Sequence, residues 1–389
     1  MSAPLPLSAA KPVIRDRATQ ETRDQDAKVR VMIVDDSLTV RTIFKRMVES
    51  DTAMEVIATA SSAERAIAQL ETSGVDVILL DLEMPGMGGL EALPKLLEGA
   101  AGGQVLVVSS LTQDGAEHTV SALSMGAADT MLKPRPGGFN EDYRSQLLGK
   151  IRALGEGQKS AEDGSDEIEP KSGHRSSASV TAATPGVLKL AKMPEVIAIG
   201  ASTGGIHALN IMLRRLTPDF DLPILITQHL PSSFIPVFAR QVEMACARPA
   251  VIADDGTEIR RGEVAIATGQ GHMTIRRRGD RLVTRTSAEP APSGCLPSVD
   301  PMFASLAEAC EDRALGIVLS GMGRDGLEGA KALVEAGGTL IAQDAETSAV
   351  WGMPGAVAKA GLTSLVASPE DIGDCLMSAV VKPTASERH

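Results

Sequence analysis

The sequence predicts an α/β chain: two doubly wound parallel-sheet domains joined by a flexible linker. Three observations lead there. Short apolar runs alternate with helical patterns over residues 29–153 and again over 193–381, the pattern of parallel strands connected by helices. Aromatic residues make up only 2% of the chain, so Val, Ile, Leu, Met and Ala must fill the core, as they do in buried parallel strands. Between the two regions, GEGQKSAEDGSDEIEPKSGHRSSASVTAATPG is rich in Gly, Ser, Glu and Pro without apolar period; residues 154–192 therefore read as a linker.

Residues 1–28 are polar or charged (RDRATQETRDQDAK) and lack an apolar signal core, so a disordered segment is expected there. The strands of the first domain are then VRVMIVDD, MEVIATA, DVILLDLEMPG, QVLVVSS and ADTMLKP, each separated from the next by a helical stretch. The second domain offers VIAIGAS, PILITQHLP, GEVAIATG, LGIVLS and TLIAQD, and residues 382–389 form a tail. With 50 acidic against 38 basic residues, the net charge of −12 argues against a nucleic-acid partner held by general electrostatics. The basic run Arg276–Arg278 reads as a solvated strand or turn. Cys246, Cys295, Cys310 and Cys375 are scattered, without C-x-x-C or zinc spacing, which fits a cytoplasmic setting. No run of 18 apolar residues appears, so no membrane insertion is expected.

In open parallel sheets, ligands gather at the carboxyl ends of strands, near the switch in strand order. Asp35 and Asp36 close the first predicted strand, Asp81 the third, Ser109 or Ser110 the fourth and Lys133 the fifth. Clustered carboxylates repel one another unless a cation neutralises them, and Mg²⁺ is the natural oxygen-ligated choice. Asp81 can then act as a carboxylate nucleophile toward a phosphoryl donor while Lys133 stabilises the transferring group. For any one of these aspartates alone, a solvated turn is the simpler reading.

The second domain carries VIAIGASTGG, a strand that stops at Gly200, turns through Ser202 and Thr203, and continues into a helix after Gly204 and Gly205. Either a bound phosphate or a nucleophile fits such a turn. No Lys follows the glycines, so a P-loop is excluded, and G-x-x-x-G-G is not the dinucleotide spacing. ITQHLP places His229 at the end of the next strand, on the same sheet edge as Ser202. LGIVLSGMGRDGLEGA raises its own alternative: Gly321, Gly323 and Gly326 are spaced as G-x-G-x-x-G, and Asp344 follows 18 residues beyond Gly326, close to a dinucleotide fingerprint. If its strand joins the same sheet, the turn instead brings Asp325 to His229, and a Ser–His–Asp arrangement with a backbone donor near Met322 follows. The dinucleotide reading stands as the runner-up, since it leaves Ser202 and His229 without a role.

VMIVDDS, DVILLDLEMPGMGGL, VVSSLT and GAADTMLKP resemble the motifs of a response-regulator receiver domain. The resemblance implies phosphorylation at Asp81, Mg²⁺ ligation by Asp36 and Asp81 with Asp35 assisting, and Ser109 and Lys133 as the switch residues. Two positions depart from it: Gly88 stands where Asp is usual, and Thr130 where Phe or Tyr is usual. IGASTGG, ITQHLP, PSVDPMF, GIVLSGMGRDG and WGMPGAV resemble the catalytic domain of the chemotaxis protein-glutamate methylesterases. This second resemblance implies a triad of Ser202, His229 and Asp325, with Thr203 and the Met322 backbone near the oxyanion, and no cofactor for the esterase. It further implies hydrolysis of glutamate γ-methyl esters on chemoreceptors, release of methanol, deamidation of selected glutamines, and a chemotaxis histidine kinase as phosphodonor. Cys295 and Leu296 stand where a basic pair is usual, and Arg324 where Asp or Asn is; Cys295 reads as a small apolar filler without a base or metal partner. The pairing of a receiver with a hydrolase predicts that the receiver packs over the Ser202 cleft and moves away on phosphorylation. A non-catalytic signalling module or phosphate sink is the alternative from a different class.

Overall fold

The computed structural model of the protein describes residues 28–110, 112–134, 138–162, 190 and 192–380. The expected amino-terminal segment except Lys28, the linker from 163 to 189, and the tail from 382 lie outside the described residues.

The first domain runs β1 (Val29–Val34), α1 (Leu38–Glu49), β2 (Met54–Ala60), α2 (Ala63–Leu70), β3 (Val77–Asp81), α3 (Gly89–Gly99), β4 (Gln104–Ser109), α4 (Gln113–Ser124), β5 (Asp129–Leu132) and α5 (Glu141–Glu162). Its parallel sheet has the order β2-β1-β3-β4-β5. Helix starts coincide with hydroxyl caps: Ser37 accepts from Val40 N, Ser62 from Arg65 N and Thr112 from Gly115 N, each satisfying a donor that the helix itself leaves unpaired. Helix α5 extends to Glu162, past the point where the composition changes to linker-like.

The second domain runs β6 (Val196–Ala201), α6 (Gly205–Leu213), β7 (Ile224–Gln228), α7 (Ile235–Cys246), β8 (Ala250–Ala253), β9 (Val264–Ala267), β10 (His272–Arg278), β11 (Arg281–Ser287), α8 (Val299–Cys310), β12 (Ala314–Val318), α9 (Leu327–Glu335), β13 (Thr339–Gln343), α10 (Met353–Lys359), β14 (Leu365–Ala367) and α11 (Pro369–Val380). Seven strands form a parallel sheet in the order β14-β13-β12-β6-β7-β9-β8, and β10 and β11 form a separate antiparallel hairpin. Strands β6, β7 and β12 are wholly buried, as expected for strands covered on both faces. The residues Arg276–Arg278 are the exposed end of β10.

The two domains share one apolar core cluster. Leu96, Val120 and Leu123 of the first domain and Ile206, Leu230 and Phe234 of the second belong to it. Helix α4 lies against α6 and α7. Polar contacts ring this face: Glu117 with Arg240 at 2.9 Å, and His207 Nδ1 with the Ser124 carbonyl at 3.0 Å.

Candidate active site

In each sheet the strand order switches sides beside the domain's first strand, and that switch point carries a cluster of functional side chains. In the second domain β6 is flanked by β7 and β12, and the loops leaving these three strands bring Ser202, His229 and Asp325 together. His229 Nδ1 lies 3.1 Å from Ser202 Oγ, and His229 Nε2 lies 2.7 Å from Asp325 Oδ2. With the ring proton on Nε2, Nε2–H donates to Asp325 and the Nδ1 lone pair accepts from the serine hydroxyl. The ring thus offers Nδ1 to the nucleophile, the reverse of the serine-protease arrangement, and either nitrogen can serve as base.

The glycines of 321–326 have specific roles here. A Cβ on Gly321 would come within 2.8 Å of Ser202 Cβ, so only glycine lets this segment lie against the serine. Gly326 adopts φ +88° and starts α9 directly after Asp325, as Gly204, at φ +77°, starts α6 after Thr203. The turn that resembles a dinucleotide fingerprint therefore presents a carboxylate to a histidine.

Asp325 is buried and fully engaged. Its Oδ1 accepts from Ser298 Oγ at 2.6 Å, and its Oδ2 accepts from Val299 N at 2.7 Å as well as from His229. Burial alone would raise its pKa, but the hydrogen bonds from His229, Ser298 and Val299 outweigh that and hold the carboxyl well below the usual range. For His229, burial works against the imidazolium; hydrogen bonds to Asp325 and Cys295, with their charges, more than offset it and push the imidazole up to about 9. Cys295 is thus not a mere apolar filler. Its Sγ, a His229 ring nitrogen and an Asp325 oxygen all lie within 4.8 Å of one another, because the aperiodic loop before Ser298 folds back over the triad.

Thr203, expected beside the oxyanion, donates its Oγ1–H to Asp129 Oδ2 of the first domain at 2.5 Å. Next to it, Gly204 N donates to the Ala128 carbonyl at 2.6 Å. Asp129 is itself paired with Lys150 at 2.5 Å. Residues 127–129 close over Ser202 and His229, leaving a cavity of about 10 Å³, room for about one water molecule. Met322 follows Gly321, with its side chain exposed.

In the first domain the switch point lies between β1 and β3. Carboxylate oxygens of Asp35, Asp36 and Asp81 lie within 4.8 Å of one another; Asp35 and Asp81 are buried and Asp36 is exposed. Lys133 Nζ pairs with Asp35 Oδ2 at 3.0 Å and Asp81 Oδ2 at 2.6 Å, and among the described residues these two buried oxygens meet no other donor. Burial pushes the Asp81 carboxyl above its ordinary value in spite of Lys133. Three hard oxygen donors with lone pairs to spare suit Mg²⁺. Ser109 Oγ, at the end of β4, is buried and unpartnered. Thr130 is a buried hydroxyl at the position where an aromatic switch residue is usual.

Four residues with evident roles do not stand out in the sequence. Ser298 holds Asp325, and Gln228 Nε2 donates to the Ser202 carbonyl at 2.9 Å; both lie inside motifs that are legible as motifs. Ser320 Oγ donates to the Thr203 carbonyl at 2.7 Å and closes LGIVLS. Asp129 carries no local signal, because its partner is in another domain.

Fold and site together define a class: a receiver-type α/β domain packed over a second α/β domain whose sheet edge holds a Ser–His–Asp hydrogen-bond chain. Comparison with known proteins narrows this. The model of the response regulator receiver domain matches residues 31–138, and that of the CheB methylesterase matches residues 197–376. A protein-glutamate methylesterase/protein-glutamine glutaminase from Paramagnetospirillum magneticum is 40% identical over 368 residues, covering 91% of this chain and 97% of the relative. One from Rhodospirillum rubrum is 39% identical over 370 residues, with 91% and 96% covered. The crystal structure of the Thermotoga maritima CheB methylesterase catalytic domain is 30% identical and covers 49% of this chain and 100% of its own, with a TM-score of 0.47. The chain belongs to the protein-glutamate methylesterase/protein-glutamine glutaminase family, a family of hydrolases. Among the described residues, no helix is long and apolar enough to cross a membrane.

Proposed function

We propose that the protein is a phosphorylation-gated serine hydrolase of chemotaxis adaptation, acting in the cytoplasm on glutamate γ-methyl esters of chemoreceptors and on selected receptor glutamines. Ser202 Oγ attacks the ester carbonyl as His229 Nδ1 takes its proton. The tetrahedral adduct expels the methoxy group, which leaves as methanol with the proton returned by His229. Water, deprotonated by the same imidazole, then hydrolyses the acyl-enzyme and restores the glutamate carboxylate. An amide would release ammonia by the same steps. Asp325 fixes the ring tautomer and stabilises the imidazolium. The Met322 backbone N–H is the oxyanion donor in this reading, joined by Thr203 once the receiver has moved.

The observation that carries the proposal is the seating of receiver residues 127–129 directly on the hydrogen-bonded triad, where about 10 Å³ remains. A methyl ester on a receptor helix needs far more room, so the packed arrangement is the resting one. A chemotaxis histidine kinase supplies the phosphoryl group to Asp81. Asp35, Asp36 and Asp81 would hold Mg²⁺, whose role when bound is to neutralise charge on the phosphoryl oxygens. Strand β5 links the two sites physically: Lys133 just beyond its carboxyl end touches Asp81, and Asp129 at its amino end touches Thr203. Four residues of strand span about 13 Å. A phosphoryl group that draws Lys133 to itself can therefore shift the residue gripping Thr203.

Methanol release from methyl-labelled receptor membranes, with and without a small-molecule phosphodonor and Mg²⁺, tests this. Phosphodonor is expected to raise the wild-type rate and to leave Asp81→Asn unchanged. Asp129→Ala removes a charge-assisted bond of about 1.5–3 kcal/mol, so its basal rate is expected to rise about 10- to 100-fold toward the stimulated one. A basal rate equal to that of wild type would refute the grip. A separate expectation concerns pH. The base must be neutral, and His229 loses its proton only near 9, so log(kcat/KM) is expected to climb with unit slope from pH 7 to about 9, on the order of 10² in rate. The Ser202→Ala background is subtracted to remove spontaneous ester hydrolysis. A profile already flat by pH 7 would mean that Asp325 and Cys295 do not raise the imidazole.

A further inference from the structure

Cys295 is one of four free cysteines in the chain. Cys246 and Cys310 are buried, while Cys295 is half-buried and lies in the loop between β11 and α8. That loop leads directly to Ser298 and Val299, which bind Asp325 together with His229. The thiol is thereby placed beside the one histidine and the one carboxylate on which the triad depends, and a donor atom from each of the three lies within 4.8 Å of the others. A soft sulfur, an imidazole nitrogen and a carboxylate oxygen are a ligand set for a borderline-soft divalent ion. Zinc takes such donors at about 2.0–2.3 Å in tetrahedral geometry. Around such an ion, neighbouring donors sit about 3.3–3.8 Å apart, a spacing that fits inside the 4.8 Å within which all three donor atoms already lie. Ser298 and Val299 stay hydrogen-bonded to the carboxylate and supply the outer partners that orient a metal ligand.

We propose that His229, Cys295 and Asp325 form an inhibitory Zn²⁺ site, with water as the fourth ligand. The inference rests on the triad reading only for its consequence: a metal on the imidazole takes the place of the ring proton that Asp325 holds, and the histidine can no longer relay the serine proton. Binding itself is independent of that reading. The balance is simple: zinc displaces the thiol proton to solvent, and the ring binds as a neutral imidazole through Nε2 with its one proton on Nδ1, a second ring proton leaving to solvent where the imidazolium was the starting form, with no oxidation or reduction. Leu296, exposed beside Cys295, puts no charge next to the site, where a basic pair would repel a cation.

Full-length protein in millimolar Mg²⁺, which occupies the receiver carboxylates, is titrated with Co²⁺ as a spectroscopic stand-in and then with Zn²⁺. The wild type is expected to develop a thiolate-to-cobalt absorption in the near ultraviolet at one equivalent, and zinc to abolish it. Cys295→Ser is expected to lack the band, and Cys375→Ser to retain it. In parallel, the zinc concentration that halves methanol release should be at least tenfold higher for Cys295→Ser than for wild type, with chelator restoring the lost activity. Absence of the cobalt band in wild type, its persistence in Cys295→Ser, or equal zinc sensitivity of the two proteins overturns the proposal. Should no preparation hydrolyse the ester even without metal, the functional reading fails while the cobalt spectra still decide the site.

Discussion

Ser202→Ala is expected to lower kcat for methanol release by about 10⁶, the loss seen when the nucleophile of a triad is removed. The reason is positional. Ser202 Oγ is the only hydroxyl within hydrogen-bond reach of His229 among the described residues, and the nearby Thr203 hydroxyl points to Asp129 instead. No second alcohol can take over without rebuilding the turn. Cys295 is a nucleophile by chemistry and lies near His229, so residual hydrolysis that an alkylating reagent removes would reveal it as a substitute. Ordinary Ser202→Ala residual activity, from binding and backbone donors alone, would be insensitive to such a reagent. Stability is expected to stay within about 0.5 kcal/mol of wild type, because the deleted hydroxyl is partly exposed and bridges nothing but the histidine. A thermal melt alongside the assay separates lost chemistry from lost fold.

Much of this site could be read from residues in order, and the reason is the regularity of parallel sheets. An apolar strand that ends on a charged or hydroxyl residue places that residue at the ligand edge, and Asp81, Lys133, Ser202 and His229 all announce themselves in this way. Asp325 lies seven residues past β12, which ends at Val318, and its glycines suggested two chemistries. The hydrogen bond of Asp325 to His229 and the packing of Gly321 on Ser202 separate them. The hairpin β10–β11 was not legible as such because half of its strands carry exposed arginines that break any apolar alternation. Short β8 and β14 carry too few buried residues to stand out from loops. Cys295 and Asp129 were opaque for a different reason. Each owes its role to a partner far away in sequence, one across an aperiodic loop and the other across a domain interface, and local pattern holds no record of such meetings. The polar character of Thr130 was readable, but its consequence was not: the proposed coupling through β5 rests on Lys133 just beyond one end and Asp129 at the other, and calls on no aromatic ring.

Asp325→Ala is expected to lower kcat by on the order of 10⁴, and Asp325→Asn to recover at least tenfold of that loss. Three donors converge on the carboxylate: His229 Nε2–H and Val299 N–H on Oδ2, and the Ser298 hydroxyl on Oδ1. An asparagine amide in this place has one oxygen and one NH₂ group. With its nitrogen toward His229 it would face two fixed donors and drive the ring into the tautomer that cannot accept the serine proton. With its oxygen there, the NH₂ group meets Ser298 Oγ, and a hydroxyl can turn to accept. The second orientation keeps the tautomer and forfeits only the negative charge that stabilises the imidazolium. Alanine forfeits both, and it leaves the buried Val299 N–H unpaired at a cost of about 1–3 kcal/mol, visible as a lower melting temperature. Ser298 therefore determines how well the amide works. In a Ser298→Ala background the asparagine has no acceptor for its NH₂ group, and its advantage over alanine should shrink toward nothing. Equal rates for Asp325→Asn and Asp325→Ala in the presence of Ser298 would show that charge alone, and not the tautomer held by this hydrogen-bond set, is what Asp325 contributes.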